Sequence, residues 1–173
     1  MNFKELNLTE YLDKALIKNR YIKATEIQKK VIPLILKGDD ILAQSHTGSG
    51  KTATFVLPLL DMWLNKPIFK KPKITTLVLT PTRELTQQIT ESFNTFSEFL
   101  PSKPKVISVI GGESIGDQLI KIQKGSDIVV ATSGDTGAAA ISALSKRKKI
   151  NFFVLHPHNK ISKVQKKIMT TIG

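Results

Sequence analysis

Residues 43–52 read AQSHTGSGKT: two glycines flank a serine, and a lysine and a threonine follow at once. That spacing has a chemistry. Glycines let successive backbone N–H groups converge on phosphate oxygens, and a helix opening at the lysine adds the partial positive charge of its N-terminus. An ammonium at Lys51 reaches the β and γ phosphates, and a hydroxyl at Thr52 is placed to ligate the accompanying Mg²⁺. Thr47, Gly48, Ser49, Gly50, Lys51 and Thr52 are therefore the candidate phosphate-binding residues, with Thr52 the metal contact made through the nucleotide. The strict pattern G-x-x-x-x-G-K-[ST] wants glycine at 45, where this chain has Ser45, another small residue.

Such a loop works only between a strand and a helix. Short β-branched runs recur at 40–45, 74–80, 105–110, 127–132 and 151–156, and segments of helical period fill 25–36, 52–65, 83–99, 114–123, 135–146 and 160–170. Strands apolar on both faces, alternating with helices, predict a parallel sheet covered by helices on each side, an α/β three-layer domain. Gly38 with Asp39 and Asp40 marks a helix end before the first strand; Pro67, Pro72 and the lysines at 70–73 mark a connector before the second; Gly125 marks the end of the helix at 114–123. The first predicted strand leads into the glycine loop and the second helix leaves it, which is the context a phosphate loop needs.

Composition bounds what else the chain does. At 173 residues with 40% hydrophobic content it can bury one respectable core. The absence of cysteine excludes a disulfide scaffold, thiolate-held zinc and a cysteine nucleophile. With no apolar run of leader or membrane-spanning type, the expected setting is the cytoplasm, without a membrane partner. Net charge is +12, but its distribution is uneven: residues 1–131 hold 18 Lys and Arg against 13 Asp and Glu, whereas 132–173 hold 8 against the single Asp135. A run such as KRKK at 146–149 is more often a solvated helix end than a nucleic-acid site.

The flanks of the loop carry a resemblance. The stretch from FKELNLTEYL to GSGKTATFVLPLL resembles the start of a DEAD-box ATP-dependent RNA helicase, a family with a RecA-like P-loop NTPase fold. The resemblance implies adenine recognition by an upstream aromatic, Phe3, together with Thr25 and Gln28 of TEIQ; an amide can pair with the adenine amino group and ring nitrogen at once, and a ring can stack on the base. Ala24 replaces the family's usual proline before the threonine. LVLTPTRELTQQI is similar to the family's RNA-backbone motif, which implies phosphate contacts by Pro81, Thr82 and Arg83; the plainer alternative is that Pro81 and Thr82 cap a helix while Arg83 pairs with a neighbouring acid. Gly111 and Gly112 resemble the paired glycines that follow. The implied ligands are ATP or ADP with Mg²⁺, and RNA contact is expected to be weak.

The likeness is nearly continuous over 1–131 and then departs. Where the family reads PGR, DEAD and SAT, this chain reads ATSGDTGAAAISAL, VLHPHN and a lysine-rich tail. The first Asp of DEAD holds the magnesium shell and its Glu orients the attacking water, so hydrolysis is expected to be lost and no catalytic residue is assigned. Asp135 stands where the family has a phosphate-contacting Arg. Residues 132–173 resemble threonine synthase instead, whose Ser-Gly-Asp-Thr-Gly loop matches 133–137. The family's Schiff-base lysine lies in a segment this chain lacks, so no pyridoxal phosphate and no threonine synthase activity are expected. His156 and His158, spaced by one proline, are not expected to bind a metal. The two parts, 1–131 and 132–173, are expected to complete one α/β domain as a chimera whose last βα units come from the second parent. The rival readings are a structural recombinant without a ligand and a weak RNA-binding module.

Overall fold

The structure is a computed structural model, and it describes residues 2–46, 48–66, 74–144 and 150–155. Thr47, the connector at 67–73, the KRKK run, His156, His158 and the predicted helix at 160–170 lie outside the described residues. Two compact units are formed, one from Met1–Ile68 and Glu91–Pro104, the other from Phe69–Thr90 and Lys105–Gly173.

The first unit is helical. A single 3₁₀ turn, Phe3–Leu6, precedes α1 (Glu10–Lys18), α2 (Glu26–Lys37) and α3 (Lys51–Leu64), and the second half of α4 (Arg83–Phe96) belongs with them. Neither the 3₁₀ turn nor α1 is among the helices expected from sequence, although Leu12, Ala15 and Leu16 fall on one buried face at helical spacing. α2 starts at a capping box: Thr25 and Gln28 each bond the other's backbone, the threonine-x-x-glutamine pattern that satisfies two orphan N–H groups. It ends at Gly38, as the sequence indicated. α3 is buried continuously from Ala53 to Asp61 and packs against α2. That continuous burial explains why its sequence is apolar all round rather than amphipathic.

Two buried residues of α3 are polar, Thr54 and Asp61, the latter a carboxylate buried to 7% exposure. It accepts the backbone N–H of Thr9, the N-cap of α1, at 2.8 Å and the side-chain amide of Asn65 at 3.2 Å. The buried charge thus satisfies the α1 N-terminus that the Thr9 side chain leaves uncapped. Asp61→Ala is expected to lower unfolding free energy by about 1–3 kcal/mol, because it orphans a helix N-terminus and opens a small void. Chemical denaturation measures this; a loss within error of zero would contradict the assignment.

The second unit is a parallel sheet of β1 (Thr76–Thr80), β2 (Val106–Val109), β3 (Ile128–Thr132) and β4 (Asn151–Val154) in the order β2-β3-β1-β4. Thr76 to Thr80 pair in register with Ile128 to Thr132 on one side, and Thr76 to Leu79 with Asn151 to Val154 on the other. Every residue of β1 and β3 is buried, as unbroken apolar strands require when both faces are covered. The crossovers run through α4, α5 (Ile115–Gln123) and α6 (Asp135–Leu144). Leu77, Leu79, Val129 and Ala131 build the core with Val109, Ile122 and Ala140. The α/β class and parallel sheet expected from sequence are those observed. Ala131 and Thr132, on either side of the boundary expected from sequence between 1–131 and 132–173, both lie inside β3 and pair with β1.

One expected strand is not formed. Residues 40–45 join no ladder, and Leu42 stands 91% exposed. DILAQS has strand composition, but a strand exists only through partners for its N–H and C=O groups, and none of the described strands pairs with it.

Candidate nucleotide cradle and phosphate-contacting cluster

The glycine loop belongs to the first unit. Gly50 is the N-cap of α3, with φ +85°, and no side chain caps the helix; its first turn holds no acid. A 14-residue helix therefore presents free N–H groups and an undiluted positive end. Lys51 folds back over the loop and donates to the carbonyls of Ser45 at 2.7 Å and His46 at 2.5 Å. The hydroxyls of Ser45 and Ser49 bridge at 2.6 Å, a contact that glycine at 45 could not make. The loop is thus closed around its own ammonium by partners inside it.

Gln28 ties α2 to this loop. It is 1% exposed; its Oε1 accepts the Thr25 backbone N–H at 2.9 Å and its Nε2 donates to the Gly50 carbonyl at 3.1 Å. One N–H and one lone pair of the amide remain over for another partner. Phe3 is placed differently from the sequence expectation. It is 2% exposed, with its ring edge-on to Tyr21 at 6.3 Å between centroids, so its face is not open to a base. Tyr21, in turn edge-on to Phe96 at 5.3 Å, is the 39% exposed aromatic of this group. It lies four residues before Thr25 in RYIKATEIQ and was not singled out from the sequence. Thr52 sits half-buried in the first turn of α3.

In the second unit the carboxyl end of the sheet gathers the other predicted residues. Thr82 caps α4: its hydroxyl accepts the Leu85 N–H at 3.2 Å, and its carbonyl accepts the Thr86 N–H at 3.1 Å. Beneath it, the buried hydroxyls of Thr80 and Thr86 meet at 2.6 Å, locking the end of β1 to the start of α4. Pro81 and Arg83 are exposed beside this cap. Arg83 makes no salt bridge among the described residues; its guanidinium lies against Gly112, so closely that a β-carbon there would collide with it. Of the plainer alternative, the helix cap is present, and among the described residues the acid nearest in effect to Arg83 is Glu84, which it attracts without forming a salt bridge. Gly111 donates to the Thr132 hydroxyl at 3.2 Å.

Glu84, next to Arg83, has its carboxyl held below the ordinary value of 4.5 by its own backbone N–H and by the Thr82 hydroxyl, with attraction from Arg83 added. A folded-state value below the unfolded one stabilises above the ordinary glutamate range, and that contribution is lost as pH falls through the lowered value. Glu84→Gln is expected to flatten the acid limb of the stability curve below pH 4.5; superimposable curves would contradict this. Among the described residues no cluster of three or more His, Asp or Glu could hold a metal ion, and no helix is long and apolar enough to cross a membrane.

A glycine loop at the N-terminus of a buried helix, braced by a threonine-x-x-glutamine capping box, and, in the other unit, a parallel sheet with an exposed arginine at its carboxyl end are the marks of the P-loop class of α/β proteins. The DEAD/DEAH box helicase profile matches residues 25–172, and the chain belongs to that family. It is 39% identical over 160 residues to the ATP-dependent RNA helicase DBP8 of Kluyveromyces lactis, covering 88% of this chain and 35% of that protein. To the ATP-dependent RNA helicase DeaD of Buchnera aphidicola it is 43% identical over 133 residues, covering 76% of this chain and 21% of that one. The crystal structure of the RNA helicase Prp28 from Chaetomium thermophilum bound to ADP superimposes with a TM-score of 0.69 at 31% identity, over 88% of this chain and 37% of that chain. The chain thus spans roughly a fifth to a third of the length of these relatives, and its sheet is of the RecA-like type.

Proposed function

We propose that this chain grips an adenine nucleotide with Mg²⁺ and does not split it. The binding half is carried by Lys51, an ammonium poised over an uncapped helix N-terminus on two neutral carbonyls. On binding, Lys51 exchanges those carbonyls for phosphate oxygens, a stronger charge-assisted pairing, while the free N–H groups of the α3 first turn take the remaining oxygens. Thr52 supplies a hydroxyl to the metal, which shields the phosphate charge. Gln28 and Thr25 fix the base end, and Tyr21, supported by Phe3 and Phe96, offers the ring for stacking.

Hydrolysis fails for want of carboxylates. β4 ends at Val154, and Asp135 is the single Asp or Glu of residues 132–173, so nothing after β4 holds the magnesium shell or orients a water. The likeness of 132–173 to threonine synthase extends this reading to a chimera of two α/β parents; the helicase profile runs through the same segment to residue 172, and the missing acids have the same consequence under either parentage. Phosphate release from Mg-ATP is expected to equal that of Lys51→Ala. A turnover that Lys51→Ala abolishes would overturn this half while leaving binding intact.

A second reading has its own observation: Arg83, exposed and in no salt bridge among the described residues, lies on Gly112 beside the α4 cap. That arrangement suits a weak contact to an RNA phosphate, with Asp135 at the start of α6 opposing a second one. Binding of oligouridylate that weakens with salt and with Arg83→Ala supports it; undetectable or salt-insensitive binding removes it.

A further inference from the structure

We infer that Gln118 is a positioning residue, whose amide fixes the turn at Gly111 and Gly112 and, through Gly112, the guanidinium of Arg83. Its use in phosphate contact rests on the RNA reading above; its action on the turn does not. Gln118 lies on α5 and is 2% exposed. Its Oε1 accepts the Ile110 N–H at 2.8 Å and its Nε2 donates to the Ile110 carbonyl at 3.0 Å. Among the described residues β2 is an edge strand whose pairing with β3 stops at Val109, and no described strand lies on its other side to bond the residue leaving it. A primary amide carries the donor and acceptor of a peptide group, and Gln118 stands in for that absent strand.

The next residue is held from the other side, by the Thr132 hydroxyl at the end of β3. Two side chains thus fix the backbone where the ladder runs out. Gly112 follows at φ +86°, a left-handed conformation that glycine takes without strain, and its bare α-carbon is the surface on which the Arg83 guanidinium lies. The line of contact runs from α5 through Ile110 to Gly112 and Arg83, wholly within the sheet unit. At 2% exposure water does not compete for the amide, so losing it frees the turn rather than merely rehydrating it.

The test uses two variants of the full chain. Gln118→Met keeps the length and removes both bonds: amide exchange at Ile110 and Gly111 is expected to rise about 10-fold over that of the β3 amides, with the Arg83 Nε resonance shifting and oligouridylate affinity falling about 5-fold. The Mg-ADP response of the other unit should persist. Gln118→Glu keeps the acceptor but, while ionised, loses the donor; the buried carboxyl has a raised pKa, so protection and the Arg83 resonance should return as pH falls and the protonated acid donates to the Ile110 carbonyl. This second variant decides the matter if Gln118→Met does not fold. Unchanged exchange at Ile110, or the absence of pH-dependent recovery, overturns the inference. If the wild-type chain does not bind oligouridylate, the RNA reading falls, and exchange with the Arg83 resonance still decides the role of Gln118.

Discussion

Lys51→Ala is expected to weaken Mg-ADP binding about 100-fold, ~2.7 kcal/mol, with the melting temperature of the unliganded chain almost unchanged. The two effects separate because of what Lys51 touches. Its bonds, to the Ser45 and His46 carbonyls, lie within one loop and pin no element of the core, so their loss falls in the range of ordinary surface changes, ~0.5 kcal/mol or less. In the complex the same ammonium pairs with phosphate, where charge-assisted bonds contribute most. Calorimetric titration of wild type and variant checks this. Equal affinities would mean that phosphate is held elsewhere; a large fall in melting temperature would mean that the lysine is structural.

Gly50→Ala should be the next most damaging change, and for two independent reasons. At φ +85° a β-carbon strains the backbone by about 1–2 kcal/mol, and here it also runs into Gln28 Nε2. The collision displaces the amide that bonds the Gly50 carbonyl and that the base end requires. Affinity for Mg-ADP is expected to fall about 10- to 100-fold, and stability by ~1–3 kcal/mol. A double-mutant cycle with Gln28→Ala distinguishes the two costs: removing the obstructing amide should relieve the steric part and leave the backbone part. Strict additivity would show that the two residues do not meet as described.

Much of this was legible before any coordinates. The helix expected over 52–65 after GSGKT forms as Lys51–Leu64, and the unbroken apolar runs of TLVLT and IVVAT announced strands buried on both faces; TEIQ was read for adenine alone, and its capping box and its bond to Gly50 emerged only in the structure. What stayed hidden depended on partners rather than on local pattern. DILAQS reads as a strand by composition, but nothing in six residues says whether another chain segment will bond them. Phe3 and Tyr21 are both aromatic; only packing decides that the first is buried under the second. Arg83 was readable as a phosphate contact or as an acid's partner, and nothing in its own stretch announced that its guanidinium lies on Gly112, twenty-nine residues away. Gln118 lay unremarked in a helical stretch, since no spacing rule marks a glutamine that replaces a missing strand.

The central claim is that the grip on an adenylate persists in a chain whose later segment carries no carboxylates for cleaving one. Its most direct measurement is the thermal stability of the folded chain titrated with Mg-ADP and Mg-GDP, since a ligand bound only by the native state must raise the melting temperature with concentration. The account predicts a saturable rise with Mg-ADP that Lys51→Ala removes and a clearly smaller one with Mg-GDP. A melting temperature unmoved by Mg-ADP in a cooperatively folded sample would contradict it.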